Sequence, residues 1–170
     1  SSQGLGGGGI SPARQSWLAM GKGPTIFTAI RDLALKVPRR AYWAHCIAII
    51  VGEEVARSGL IQVLDFWDRD AEARRRTYLY IYRGKAADLL INSFGSMERT
   101  AGSQLAGLAK TSRISGYAKV VTIHQFMVDL ALPGVDPSTA GLVLSPLSEV
   151  PGFVPTGKAD VKTGVNVMEL

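Results

Sequence analysis

The sequence predicts an all-α fold, a helical bundle held between an extended N-terminal arm and an extended Pro/Gly-rich C-terminal arm. Three observations lead there. Between residues 25 and 132, apolar residues recur at three, four and seven positions, the spacing of one helix face. Only Pro38 interrupts that stretch. On either side the composition changes: glycines crowd residues 1–24, and prolines alternate with glycines over residues 135–170, neither of which sustains a helix. The expected division is 1–24, 25–134 and 135–170.

The N-terminal stretch holds Gly4, Gly6 to Gly9, Gly21 and Gly23, with Ile10, Trp17, Leu18 and Met20 as apolar anchors. It reads either as a disordered tail or as an arm that orders against a neighbour. Thr25 to Val37 reads as a short helix with Ile26, Phe27, Ile30, Leu33 and Ala34 on one side. Pro38 suits the first turn of a second helix, where its missing N–H costs nothing. That helix is expected to run to Arg57 and stop at Ser58-Gly59. A third is expected from Leu60 to Arg83, with a stripe of Leu64, Trp67, Ala71, Tyr78 and Tyr82. Within it, Thr77 to Tyr82 has the aromatic content of a strand, but the surrounding Ala, Glu and Arg run favours helix. A short helix from Lys85 to Phe94 follows. Ser96 then caps a long helix from Met97 to Leu132, which Pro133-Gly134 ends. In the last part, Leu142, Val143, Leu144, Leu147, Val150, Phe153 and Val154 are too apolar for a solvated tail and predict an extended arm packed on something. Val161, Val165 and Val167 add a short edge strand or hairpin.

Composition removes several classes of function. One cysteine, Cys46, excludes an internal disulfide framework and a Cys-rich zinc site, and two histidines, His45 and His124, leave little for a His-based metal site. No metal and no cofactor is expected. The apolar run from Ala41 to Val51 is broken by His45 and falls short of the roughly 20 residues that span a bilayer. No positively charged N-terminal region leads into an apolar stretch, so no signal peptide is expected. Nor does an active site assemble. His45 and Cys46 are adjacent and do not face each other on a helix. Glu53-Glu54 reads as a solvated pair. Gly4 to Gly9 lacks the flanking strand and helix of a dinucleotide loop. The chain is therefore expected not to be an enzyme and to take no small-molecule substrate.

The basic residues carry the positive signal. Net charge is +5 with a pI of about 9.6. Residues 1–84 hold 12 Lys+Arg against 7 Asp+Glu, whereas residues 134–170 hold 2 against 4. Arg39 and Arg40 open the second helix with no acid between Asp32 and Glu53. Arg74, Arg75 and Arg76 are consecutive, although Asp70 and Glu72 stand four residues before Arg74 and Arg76 and pair part of that charge. In the long helix Gly102, Gly107 and Gly116 each cost about 1 kcal/mol against alanine. Small residues there, interleaved with Lys110, Arg113 and Lys119, suit either close helix packing or a surface lying along a phosphate backbone.

The Gly-rich arm to Lys22, the helix opened by Pro38, Arg39 and Arg40, and the small-residue helix from Gly102 to Lys119 together resemble the coat (major capsid) proteins of filamentous archaeal DNA viruses. The resemblance covers roughly residues 1–132. It implies a helix-turn-helix-like body in a virion structural protein that polymerises helically, with itself or with a second related coat subunit, and wraps double-stranded DNA through sequence-independent phosphate contacts. Arg39, Arg40, Arg74, Arg75, Arg76, Lys110, Arg113 and Lys119 are the expected backbone contacts. Coat proteins of filamentous RNA viruses and viral matrix proteins share parts of this layout. A small cytosolic helical enzyme or adaptor is the alternative of a different class.

Overall fold

The computed structural model describes residues 18–37, 43–69, 76–92, 101–116 and 118–146, and the backbone of residues 163–168. It contains a sheet, so the all-α expectation is wrong. Helix α1 (Ile26–Lys36) is followed by a single 3-10 turn (Trp43–His45), strand β1 (Ala48–Gly52), helices α2 (Glu53–Ser58) and α3 (Ile61–Arg69), and strand β2 (Tyr78–Tyr82). Then come α4 (Ala86–Asn92), α5 (Ala101–Ser115), β3 (Val121–Thr122), α6 (Ile123–Ala131), β4 (Gly141–Pro146) and β5 (Thr163–Met168).

β2 is the centre of a five-stranded mixed sheet. β1 runs parallel to it on one side, in register Ile50 opposite Tyr80. On the other side β2 takes β3 antiparallel at Tyr78 and Leu79, and β4 parallel at Ile81 and Tyr82. β5 then pairs antiparallel with β4. Residues 141–146 and 163–168 are thus strands of the sheet.

The predicted second and third helices fail for one physical reason. A parallel strand covered on both faces reads as an unbroken apolar run rather than an alternating one. Ala48–Val51 is such a run, and over so short a length periodicity does not separate strand from helix. Two parallel strands need a crossover, and α2 with α3 supplies it between β1 and β2. The Tyr78–Tyr82 segment is the strand that its aromatic content indicated. The predicted long helix is likewise divided: α5 stops at Gly116, whose φ of +66° is the left-handed C-terminal cap that glycine adopts without strain.

Each face of the sheet has its own core. Val51, Leu64, Leu79, Val121, Ile123 and Phe126 pack together, joining α3 and α6 to one face. Tyr80, Tyr82, Leu89, Leu105, Ala118, Ala140 and Leu142 pack on the other, beneath α4 and α5. Two buried hydroxyls reinforce this packing: Tyr80 donates to the Leu105 carbonyl of α5 at 2.8 Å, and Thr139, just before β4, to the Leu79 carbonyl of β2 at 2.7 Å.

α1 starts with a capping box, in which Thr25 Oγ1 accepts from Thr28 N and Thr28 Oγ1 from Thr25 N. The preceding segment folds back on this helix. Lys22 N donates to the Asp32 carboxylate at 2.7 Å, and a Cβ at Gly21 would lie 2.0 Å from the Ala29 carbonyl, so only glycine permits that approach. The Lys36 ammonium beside Asp32, with that Lys22 N–H, holds its carboxyl below the usual range.

Candidate functional site

Among the described residues a cleft runs along the outer edge of β1. Strand β1 pairs with β2 only, among the described residues. The cleft has a volume of about 870 Å³, within the roughly 300–1,000 Å³ of ligand pockets. It touches Ile49, Ile50, Val51 and Gly52 in succession. Successive side chains of a strand point to opposite faces, so a cavity meeting all four lies against the strand's edge. Val63 and Trp67 of α3 with Ile26 of α1 wall one side, and Ala86 and Ala87 of α4 the other. Ile49 and Ile50, which an added strand or helix would cover, are only half-buried.

The backbone groups of that edge turn outward in a regular pattern. Tyr78 donates its N–H to the Ile47 carbonyl. In a parallel ladder the bonded residues of a strand alternate, so Ile49 and Val51 turn their N–H groups to β2, while Ala48, Ile50 and Gly52 turn theirs outward. The outward carbonyl of Ala48 accepts the Cys46 thiol at 3.5 Å. Burial pushes that thiol above its ordinary pKa.

One end of the cleft lies at the carboxyl ends of β1 and β2, where open α/β sheets place ligands. Glu53, Glu54, Arg57 and Lys85 gather there. Arg57 donates to Glu53 Oε1 at 2.7 Å within α2. Glu54 and Lys85 are exposed and of opposite sign. The cleft is therefore apolar along its length, with balanced charge at its mouth.

The predicted nucleic-acid contacts do not lead to this place. Arg39, Arg40, Arg74 and Arg75 lie outside the described residues. Arg76 is exposed just before β2, and Lys110 and Arg113 are exposed one turn apart on α5. Lys119 is engaged: its ammonium lies 3.2 Å from Asp129, whose other oxygen accepts Gln125 Nε2 at 2.8 Å. The Gln125 hydrogen bond, with Lys119 second, holds the Asp129 carboxyl below the usual range. Among the described residues no three His, Cys, Asp or Glu side chains are grouped to hold a metal, and no helix is long and apolar enough to cross a membrane. Sequence reasoning missed the cleft because it placed β1 inside a helix. The usable signal was the uncharged run Ala48–Val51 ending in Gly52-Glu53-Glu54, a strand followed by a helix start.

Residues 1–143 match the family model of the spore germination protein N-terminal domain. The chain belongs to that family. It is 29% identical over 157 residues to the Bacillus subtilis (strain 168) protein named "Putative spore germination protein YfkR", a match covering 92% of this chain and 38% of that protein. Spore germination protein B3 of the same organism is 41% identical over 68 residues, covering 39% of this chain and 18% of that protein. Spore germination protein KC, also from that organism, is 35% identical over 89 residues, covering 51% and 22%. The chain thus spans less than two fifths of the length of these relatives. No solved structure matches.

Membership of the germination domain family overturns the viral reading. The chain is not a coat protein of a filamentous virus, and helical polymerisation around double-stranded DNA and a place in a virion go with that reading. The resemblance rested on the order of arms, helices and charges. Such a layout arises wherever a small basic domain carries Gly- and Pro-rich flanks, and the helices that carried it are partly strands.

Proposed function

We propose that this chain is a non-catalytic association domain of a spore germination protein, acting beside other subunits of a germinant receptor at the inner membrane of the spore. The carrying observation is the β1 edge with its apolar cleft: a folded sheet whose outer strand is unpaired among the described residues, walled by apolar side chains, in a chain matching the germination N-terminal domain over residues 1–143. Apolar surface of that kind is removed from water by association. Among the described residues that line it, no nucleophile, base and orienting group converge, which favours binding over catalysis. Arg76, Lys110 and Arg113 are then solubilising surface charge.

The reading is tested with Ala87→Arg, which places a charged side chain from an exposed position of α4 into the cleft. Spores carrying it are expected to germinate more slowly, and the protein to lose co-purification with other germination subunits while its amount in the spore is unchanged. Normal germination with the partners retained would contradict the reading.

A further inference from the structure

We propose that the outward face of α1 lies on an anionic lipid bilayer, with Phe27 and Leu35 at the boundary of headgroups and acyl chains and Arg31 between them on a lipid phosphate. The proposal rests on the membrane placement above and adds which surface of the domain meets the lipid.

The helix has two sides. Ile26, Ala29, Ile30 and Leu33 turn inward and are half-buried. Ile26 shares the cleft wall with Val63 and Trp67 of α3, and Gly21 of the preceding segment lies against Ala29 and Leu33. Phe27, Arg31 and Leu35 follow one another at four-residue spacing and form a single row on the other side. All three are exposed, Leu35 at 88% and Phe27 at 59%. Large apolar groups in such positions are removed from water by a partner.

Charge selects the partner. Residues 1–52 hold 6 Lys+Arg against 1 acid, whereas residues 53–170 hold 13 against 13. The whole surplus of the chain, +5, therefore belongs to the segment that contains α1. Its one acid, Asp32, is already engaged by Lys36 and by the Lys22 N–H. An anionic surface complements that segment. The form of the row agrees. Arg31 holds its guanidinium over the Phe27 ring, 5.9 Å from the centroid, so the ring enters the interface while the cation stays at headgroup level. A bilayer also accepts a convex ridge without a matching groove. Two copies paired two-fold through this row would instead set Arg31 against Arg31, with no acid on the face to separate them.

The test is cosedimentation of the purified chain with vesicles of phosphatidylcholine and phosphatidylglycerol in equal parts, and with vesicles of phosphatidylcholine alone. Binding is expected to the anionic vesicles, about tenfold or more weaker to the neutral ones, and to weaken as salt is raised. Leu35→Glu and Arg31→Glu should each reduce it about tenfold or more. Ile114→Glu is the control: Ile114 is also 88% exposed, but on α5, which covers the opposite face of the sheet from α3. It should bind as the parent does. These positions are exposed, and thermal melts of the variants confirm that each is folded. Equal binding to both vesicle types overturns the proposal, as does equal loss in Ile114→Glu, which would mean adhesion by overall charge. Absence of vesicle binding overturns it too. The face then belongs to a second copy if Leu35→Glu breaks an oligomer of the parent, and to a partner protein or to the chain's own residues if it does not. None of these failures touches the β1 cleft, whose association role stands or falls on the spore experiment.

Discussion

The Tyr80 hydroxyl reaches 2.8 Å across one core to the main-chain oxygen of Leu105, joining the central strand to α5. Tyr80 is fully buried, and its ring is part of the packing while its oxygen makes this hydrogen bond. Tyr80→Phe keeps the ring and removes the donor, and Leu105 O keeps its place in the helix ladder. The expected loss is about 1 kcal/mol, read as a lower urea midpoint with unchanged slope.

Burial raises the Tyr80 phenol above its ordinary value, and burial with Asp88 nearby does the same for Tyr82. In a raised group the folded form holds its proton more tightly than the unfolded form. The associated stability is complete below about pH 10, the ordinary tyrosine value, and is lost as pH climbs beyond it. Urea midpoints measured from pH 8 to 11 should therefore fall at the alkaline end. Tyr80→Phe should make that fall shallower, with Tyr82 sustaining the remainder.

Asp129 behaves in the opposite sense. Gln125 and Lys119 favour its carboxylate, so its contribution is present above the ordinary carboxylate value and disappears as pH falls through the lowered one. Asp129→Ala should be less stable than the parent at pH 7. The two should converge in acid, which a pair of denaturation series at pH 7 and pH 2.5 would show.

The glycines of α5 and β1 predict opposite outcomes for the same change. A Cβ at Gly107 meets nothing within 4 Å, and in a helix interior alanine is better by about 1 kcal/mol, so Gly107→Ala should raise the melting temperature. At Gly52 the added Cβ would lie 2.8 Å from the Gly84 carbonyl, which is backbone. Gly52→Ala should cost about 1–3 kcal/mol and lower the melting temperature.

The same glycines show how far the sequence was readable. Three small residues in one predicted helix suggested a close neighbour. In the structure only Gly102 has one, Ile47 Cδ1 at 3.2 Å from its would-be Cβ, whereas Gly116 caps the helix and Gly107 stands clear. α1 and α4 were legible because each is short, amphipathic and bounded by a cap or a glycine. β1 and β2 were not, because an apolar run of five residues fits a buried helix as well as a buried strand, and what decides is pairing between Ile50 and Tyr80, thirty residues apart. The cleft was lost with β1. The arginines drew attention through charge, which reports on solubility and partners and not on where a sheet is left open.

The most direct measurement is residue-resolved hydrogen exchange along β1 of the chain alone. An edge open to solvent predicts alternation: slow exchange at Ile49 and Val51, whose N–H groups face β2, and fast exchange at Ala48, Ile50 and Gly52. Uniform slow exchange across Ala48–Gly52 would mean that the edge is already closed, and would contradict the account.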